Sequence, residues 1–127
     1  MPDWDKYKAE AKARGALALE LYVIKSTPRD MSLVKETLPD HLAYQKKLEA
    51  EGVLFLAGPV SDKTGIAMDA EGMMIYRAPD FETAHELAIN DPMHLSGARD
   101  YEIRKWLINE GSVSLSVSLS GQAAHFK

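Results

Sequence analysis

One short strand in this sequence is apolar on both of its faces. Val53-Leu54-Phe55-Leu56-Ala57 offers no polar side at all. Upstream, Leu17, Leu19, Leu21 and Val23 recur at period two, and Tyr22 and Ile24 fill the opposite face. A sheet made of such strands needs cover on both faces. Two helical stretches are available to supply it. The first spans Met31 to Glu51 with an interruption at Pro39, where Thr37, Leu38, Pro39 and Asp40 read as a fresh helix start. The second runs from Phe81 to about Asn90, capped by Asp80. Asp91-Pro92 ends it, because the residue before a proline is pushed out of the helical region.

The remaining segments complete the order. Ser26-Thr27-Pro28-Arg29-Asp30 reads as a loop, and Gly58-Pro59 closes the second strand. Residues 61–71 form a connection, Gly72 to Arg77 a third strand and Tyr101 to Leu107 a fourth. The result is β-α-β-β-α-β, the ferredoxin-like split βαβ arrangement of an α+β domain. An extra helix over 3–14, capped by Asp3, precedes it, so residues 1–15 are an N-terminal appendage. An extra C-terminal strand follows, in which Val113, Leu115, Val117 and Leu119 alternate with serines. Residues 121–127 read as a tail.

Two helices cover one face of a four-stranded sheet. The 127 residues fit a single domain, 1–127, and leave no third layer for the other face. A second copy of the protein is the simplest cover, which predicts a homodimer with sheets packed face to face. The final alternating strand would then add to a sheet edge.

Composition narrows the function. The formal net charge is -4, which gives no basic excess to hold a phosphate backbone, so nucleic acid is not expected as a partner. No apolar run approaches membrane-spanning length, and the first residues do not form a signal peptide, so no membrane partner and a cytoplasmic location are expected. There is no cysteine, which removes thiolate nucleophiles and Cys-ligated zinc. No phosphate loop, dinucleotide fingerprint or serine elbow is present, and no cofactor is expected.

Acid–base chemistry near neutrality then falls to histidine. His41 stands in the first turn after Pro39, near the positive end of the predicted helix, where the ring is kept neutral and able to accept a proton. The plainer alternative is an exposed helix histidine beside Asp40. Asp91 is either a helix-ending turn residue or a carboxylate that orients His41. His94 lines the pocket or meets an anionic ligand. His41, Asp91 and His94 are conceivable metal ligands, but their spacing matches no compact motif, and no metal is expected. His85 belongs to a solvated face and His125 to the tail. Gly58 and Pro59 suit a pocket wall where backbone approaches a ligand. Arg77, Arg99 and Arg104 are surface charges or acid-binding groups. Met73, Met74, Met93 and Trp106 are core or pocket lining.

Several stretches together resemble the YCII-related (YciI-like) family. They are Pro39-Asp40-His41-Leu42-Ala43-Tyr44, Leu54-Phe55-Leu56-Ala57-Gly58-Pro59-Val60, Asp91-Pro92-Met93-His94, Ser96-Gly97-Ala98-Arg99 and Arg104-Lys105-Trp106-Leu107-Ile108-Asn109-Glu110-Gly111. The resemblance covers roughly residues 16–120. It implies a dimeric α+β barrel of ferredoxin-like protomers and a His–Asp pair in a pocket, which maps onto His41 and Asp91. Where the family has an attributed reaction, it is elimination of chloride from chlorinated hydroxyquinol-type rings. The N-terminal helix and the extended C-terminal strand depart from the family pattern.

The expected function is cofactor-independent acid–base catalysis, lyase-like or isomerase-like, on a small aromatic or enolic molecule. His41 and Asp91 are the expected catalytic pair. Gly58, Pro59, His94 and Arg99 are the expected substrate-binding residues. A cofactor-free oxygenase or isomerase of the wider dimeric barrel group and a non-catalytic metabolite-binding or regulatory module are the alternatives.

Overall fold

The computed structural model describes residues 1–126. In chain order it forms α1 (Trp4–Ala13), β1 (Leu19–Pro28), α2 (Met31–Ala50), β2 (Leu54–Ser61), β3 (Met68–Tyr76), α3 (Phe81–Ile89), α4 (Pro92–Leu95), β4 (Arg99–Ile108), β5 (Leu115–Ser118) and β6 (Ala123–Phe126). Residues 20–106 make one compact unit; residues 1–19 and those from 107 onward make another.

The larger unit holds the sheet, in the order β2-β3-β1-β4. This is the strand order of the expected split βαβ arrangement, with β1 antiparallel to β3 and β2 antiparallel to β3. Tyr22 and Ile24 of β1 pack with Met74 and Tyr76 of β3, Leu48 of α2, and Ala84 and Ala88 of α3. Alanines at i and i+4 let α3 approach the sheet closely. Tyr22, Ile24 and the next residue in phase, Ser26, therefore face the helices, and all three are buried. On β4 the same face carries Arg99, Tyr101 and Ile103, by the same alternation.

The other face of the sheet is unevenly exposed: Leu21 and Ile75, in phase with Val23, are buried. Leu56 and Trp106 are 56% and 47% exposed, and Met73 is also exposed. The two-faced strand of the sequence is thus an edge strand, with Leu56 exposed on its second face.

Several elements of the larger unit differ from the sequence expectations, and α4 was not expected. β1 continues through Ser26 to Pro28, where a loop was expected. α2 is one helix from Met31, capped by Asp30, whose carboxylate accepts from the backbone N–H of Ser32 and Leu33 at 3.1 and 3.2 Å. Pro39 lies inside it and forfeits only its own amide hydrogen bond, and Thr37 is buried in mid-helix instead of capping a new one. β2 runs through Gly58-Pro59 to Ser61, which an edge strand tolerates because one side of its backbone needs no partner. β3 begins at Met68, earlier than the expected Gly72.

In the smaller unit, Asp3 caps α1 as expected, accepting from Asp5 N at 3.0 Å. Residues 123–126 form β6, antiparallel to β5, where a tail was expected. The alternation seen from Val113 to Leu119 becomes half of a two-stranded hairpin.

Candidate functional site

The site is a cavity of about 640 Å³ between α2 and the helix-facing side of β1, β2 and β3, closed at one end by Met93 and Arg99. Of the sequence-expected residues, His41, Gly58, Pro59 and Arg99 line it. Four of the six methionines do so as well, Met31, Met68, Met74 and Met93, and the lining also reaches Met73, whose side chain leaves the opposite face of β3. Thioether side chains give a polarisable, adaptable wall suited to the edge of an aromatic ring. Trp106 belongs to the opposite face of the sheet.

His41 and Asp91 meet, although they lie 50 residues apart. The carboxylate oxygens of Asp91 stand 2.8 and 2.9 Å from His41 Nδ1. Asp91 is fully buried and His41 is partly so. Asp91 is held in turn by the backbone: it is the N-cap of α4, and its Oδ1 accepts from Met93 N at 2.9 Å. The Asp-Pro step explains this placement. Proline fixes Asp91 in an extended conformation (φ -59°, ψ 127°) just after α3, and that turns the carboxylate back toward α2.

A carboxylate accepts, so Nδ1 of His41 carries the proton and Nε2 holds a lone pair in the neutral ring. The side-chain amide of Gln45 donates to that nitrogen at 3.2 Å. Gln45 is one helical turn beyond His41 and also lines the cavity. Its Oε1 is buried without a hydrogen-bond partner. The sequence did not single out Gln45; the i, i+4 spacing from His41 was the available signal.

The expected helix-end position of His41 does not hold. α2 starts at Met31, so His41 is deep within the helix, beyond the first turn where the dipole acts. Asp91, not the helix terminus, is the partner that orients the ring.

His94 does not line the cavity directly. It is 9% exposed and its ring lies against Tyr101, with centroids 4.5 Å apart. Its Nδ1 donates to the carbonyl of Ala88 at 2.7 Å. A carbonyl only accepts, so Nε2 is the bare nitrogen of a neutral ring, and Ser26 Oγ donates to it at 2.8 Å. Burial holds the His94 pKa below its ordinary value, with Ala88 opposing. Both ring nitrogens are engaged by the protein, so His41, Asp91 and His94 do not converge as a ligand trio.

Ser26 is the second residue that sequence reasoning missed. It is 2% exposed and joins His94 to Arg99, whose Nε donates to Ser26 Oγ at 3.0 Å. Arg99 Nη2 donates to Ser26 O at 3.1 Å and to the carbonyl of Ala70. The period-two phase of Tyr22 and Ile24 pointed to Ser26, but Pro28 two residues on made the segment read as a loop.

Ala70 reaches Arg99 through an irregular backbone. The β2–β3 register passes from Val60↔Glu71 to Ser61↔Met68, which leaves Asp69 and Ala70 without counterparts. Ala70 adopts φ +56°, a conformation that costs a non-glycine residue about 1–2 kcal/mol. That strain sits on the cavity wall.

The other titratable groups are set aside by their surroundings. Burial and the Asp91 charge push the Tyr44 phenol up to about 12, and its hydroxyl donates to Leu87 O at 2.7 Å. Tyr76 is shifted upward for the same reasons. His85 is on the solvated face, 3.1 Å from the Tyr101 hydroxyl, and His125 is exposed on β6. Arg77 stacks over the exposed Phe55 ring at 4.4 Å, and Arg104 is exposed. Among the described residues, no helix is long and apolar enough to cross a membrane.

Comparison with known proteins agrees with this architecture. The model of the YCII-related domain matches residues 19–107. The uncharacterized protein YjpA of Bacillus subtilis (strain 168) is 30% identical over 84 residues, covering 66% of this chain and 92% of YjpA. Among solved structures, 5-chloro-2-hydroxyhydroquinone dehydrochlorinase (TftG) from Burkholderia phenoliruptrix AC1100, in complex with 2,5-dihydroxybenzoquinone, is similar. It superposes with a TM-score of 0.53 at 23% identity, covering 68% of this chain and 92% of that one. The likeness is one of fold, the α+β barrel protomer. By its matched domain, its relative and its strand order, the chain belongs to the YCII-related family.

Proposed function

We propose that the protein is a cofactor-independent acid–base enzyme acting on a small aromatic or enolic molecule. The observation that carries this reading is the His41–Asp91 pair: Nδ1 within 2.9 Å of both oxygens of a fully buried carboxylate, on a ring that lines the cavity. His41 Nε2 takes a proton from a C–H or O–H of the ligand. Asp91 holds the tautomer and stabilises the imidazolium that forms. The electron pair left on the ligand moves onto a ligand oxygen, or expels a leaving group such as chloride. Arg99 and the backbone near Gly58 and Pro59 face the developing negative charge. His94 acts by fixing Ser26 and, through it, Arg99.

TftG is a dehydrochlorinase, which favours a lyase-type reaction over an isomerisation. The test is turnover of 5-chloro-2-hydroxyhydroquinone and of a panel of small enols and phenols. In the His41→Ala variant, turnover falls by about 10²–10⁴-fold while circular dichroism is unchanged. Equal rates in wild type and variant refute His41 as the base.

We also propose a homodimer. Leu56 and Trp106, exposed on the second face of the sheet, are apolar side chains that a second copy would bury. Sedimentation at micromolar concentration reports the outcome: a folded monomer alone contradicts it.

A further inference from the structure

We propose that the cavity receives its ligand already ionised, with an anionic oxygen of the ligand seated on the Arg99 guanidinium beside Gly72. This rests on the cavity being the ligand site, as above, but not on His41 being a base.

Arg99 is a half-buried cation with no counter-ion among the described residues. Its hydrogen bonds go to three neutral oxygens: Ser26 Oγ, Ser26 O and Ala70 O. The acidic side chain on the cavity wall, Glu71, is engaged elsewhere, 3.1 Å from Lys25 Nζ. Desolvation accordingly lowers the Arg99 pKa, opposed by the charge of Asp91. A buried charge without a partner is costly, and a ligand anion relieves that cost.

The guanidinium is also held in one orientation. Proton directions are fixed along a continuous chain: His94 Nδ1 donates to Ala88 O, Ser26 donates to His94 Nε2, and Arg99 Nε donates to Ser26. Ala70 adds its carbonyl at the expense of a left-handed backbone. A strained backbone at Ala70 that presents its carbonyl to Arg99 at the cavity wall fits a group positioned for a ligand. The donors on Nη1 are not used by the described residues, and the planar fork suits an oxyanion or carboxylate.

The space for the anion is kept by glycine. A Cβ at Gly72 would stand 3.8 Å from Arg99 Nη2 and 3.9 Å from Gly58 O. Gly72 is paired with Ser26 across the sheet, so its missing side chain is missing on the face that carries Arg99. Its φ is not in the left-handed region, so glycine is not needed there for backbone reasons. The methionine walls would hold the uncharged part of the same molecule.

The proposal is tested by calorimetric titration of the full chain with two pairs of probes. One pair is 2,5-dihydroxybenzoquinone, which ionises, against its uncharged dimethyl ether. The other is benzoate against benzamide. The expected result is at least a tenfold preference for the charged member of one or both pairs. The quinone pair reports a ring oxyanion and the benzoate pair a carboxylate. Arg99→Gln abolishes the preference without weakening the neutral probe. Gly72→Val also abolishes the preference, with the guanidinium still present, which covers the case that Arg99→Gln fails to fold. No preference in wild type for either anion, including no binding of any probe, overturns the proposal. So does a preference that survives both substitutions. Turnover is not read, so failure here is distinguishable from failure of His41 as the base.

Discussion

Two histidines stand near one cavity, and their surroundings make opposite use of the same ring. His41 gives Nδ1 to a buried carboxylate and turns Nε2 toward Gln45 and the cavity. His94 gives Nδ1 to a backbone carbonyl and Nε2 to a serine hydroxyl. A charged partner welcomes an imidazolium; a neutral partner in a buried setting resists one. The first ring turns one nitrogen to the cavity with a buried carboxylate behind the other. The second has both nitrogens engaged by the protein and holds Ser26 and, through it, Arg99.

The largest test of this contrast is to remove the charge that separates the two. Asp91→Ala deletes the buried carboxylate, the cap of α4 and the partner of His41 together. It is expected to lower stability by about 3 kcal/mol, read by denaturant unfolding, and to abolish turnover. A loss below about 1 kcal/mol would mean that the His41–Asp91 contact contributes little.

Acidification sharpens the contrast next. The folded-state pKa of His94 lies below its ordinary 6.5, so the unfolded chain binds this proton more readily. The His94 contribution is present above pH 6.5 and declines as pH falls from 6.5 toward the folded value. Thermal melts between about pH 7.5 and 5.5 should show the decline in wild type, and it should be smaller in His94→Gln. An identical slope in both would refute the buried neutral ring.

Two smaller effects bound the region. Tyr44→Phe removes the hydroxyl that ties α2 to the end of α3 through Leu87 O, and should cost about 1 kcal/mol in unfolding free energy. His85→Ala, on the solvated face, should change stability by less than about 0.5 kcal/mol and leave turnover intact. A strong effect of His85→Ala would transfer the acid–base role away from His41.

The strand and helix order was legible because alternation and helix stops survive in any context. Asp80 and Asp91-Pro92 act locally, and they bound α3 as expected. Pro39 misled, because a proline within a long helix loses one hydrogen bond, and packing of Leu48 and Thr37 outweighs it. Pro28 misled in the other direction. It hid the last turn of phase in β1, and with it Ser26. His41, Asp91, Gly58, Pro59 and Arg99 could be named from residue type and motif. Gln45 and Ser26 could not, because neither carries a signature until its neighbours are known.

The sequence alone therefore determined the order of β1, α2, β2, β3, α3 and β4, and the absence of thiol chemistry. These follow from composition and periodicity, which are local. Only the tertiary structure decided which face the helices take, that His41 depends on Asp91 and not on a helix end, and that His94, Ser26 and Arg99 form one chain of hydrogen bonds. The contacts that make those arrangements join residues 50 to 73 positions apart. Hydrogen-bond direction and burial across such separations are set by packing, which periodicity does not encode.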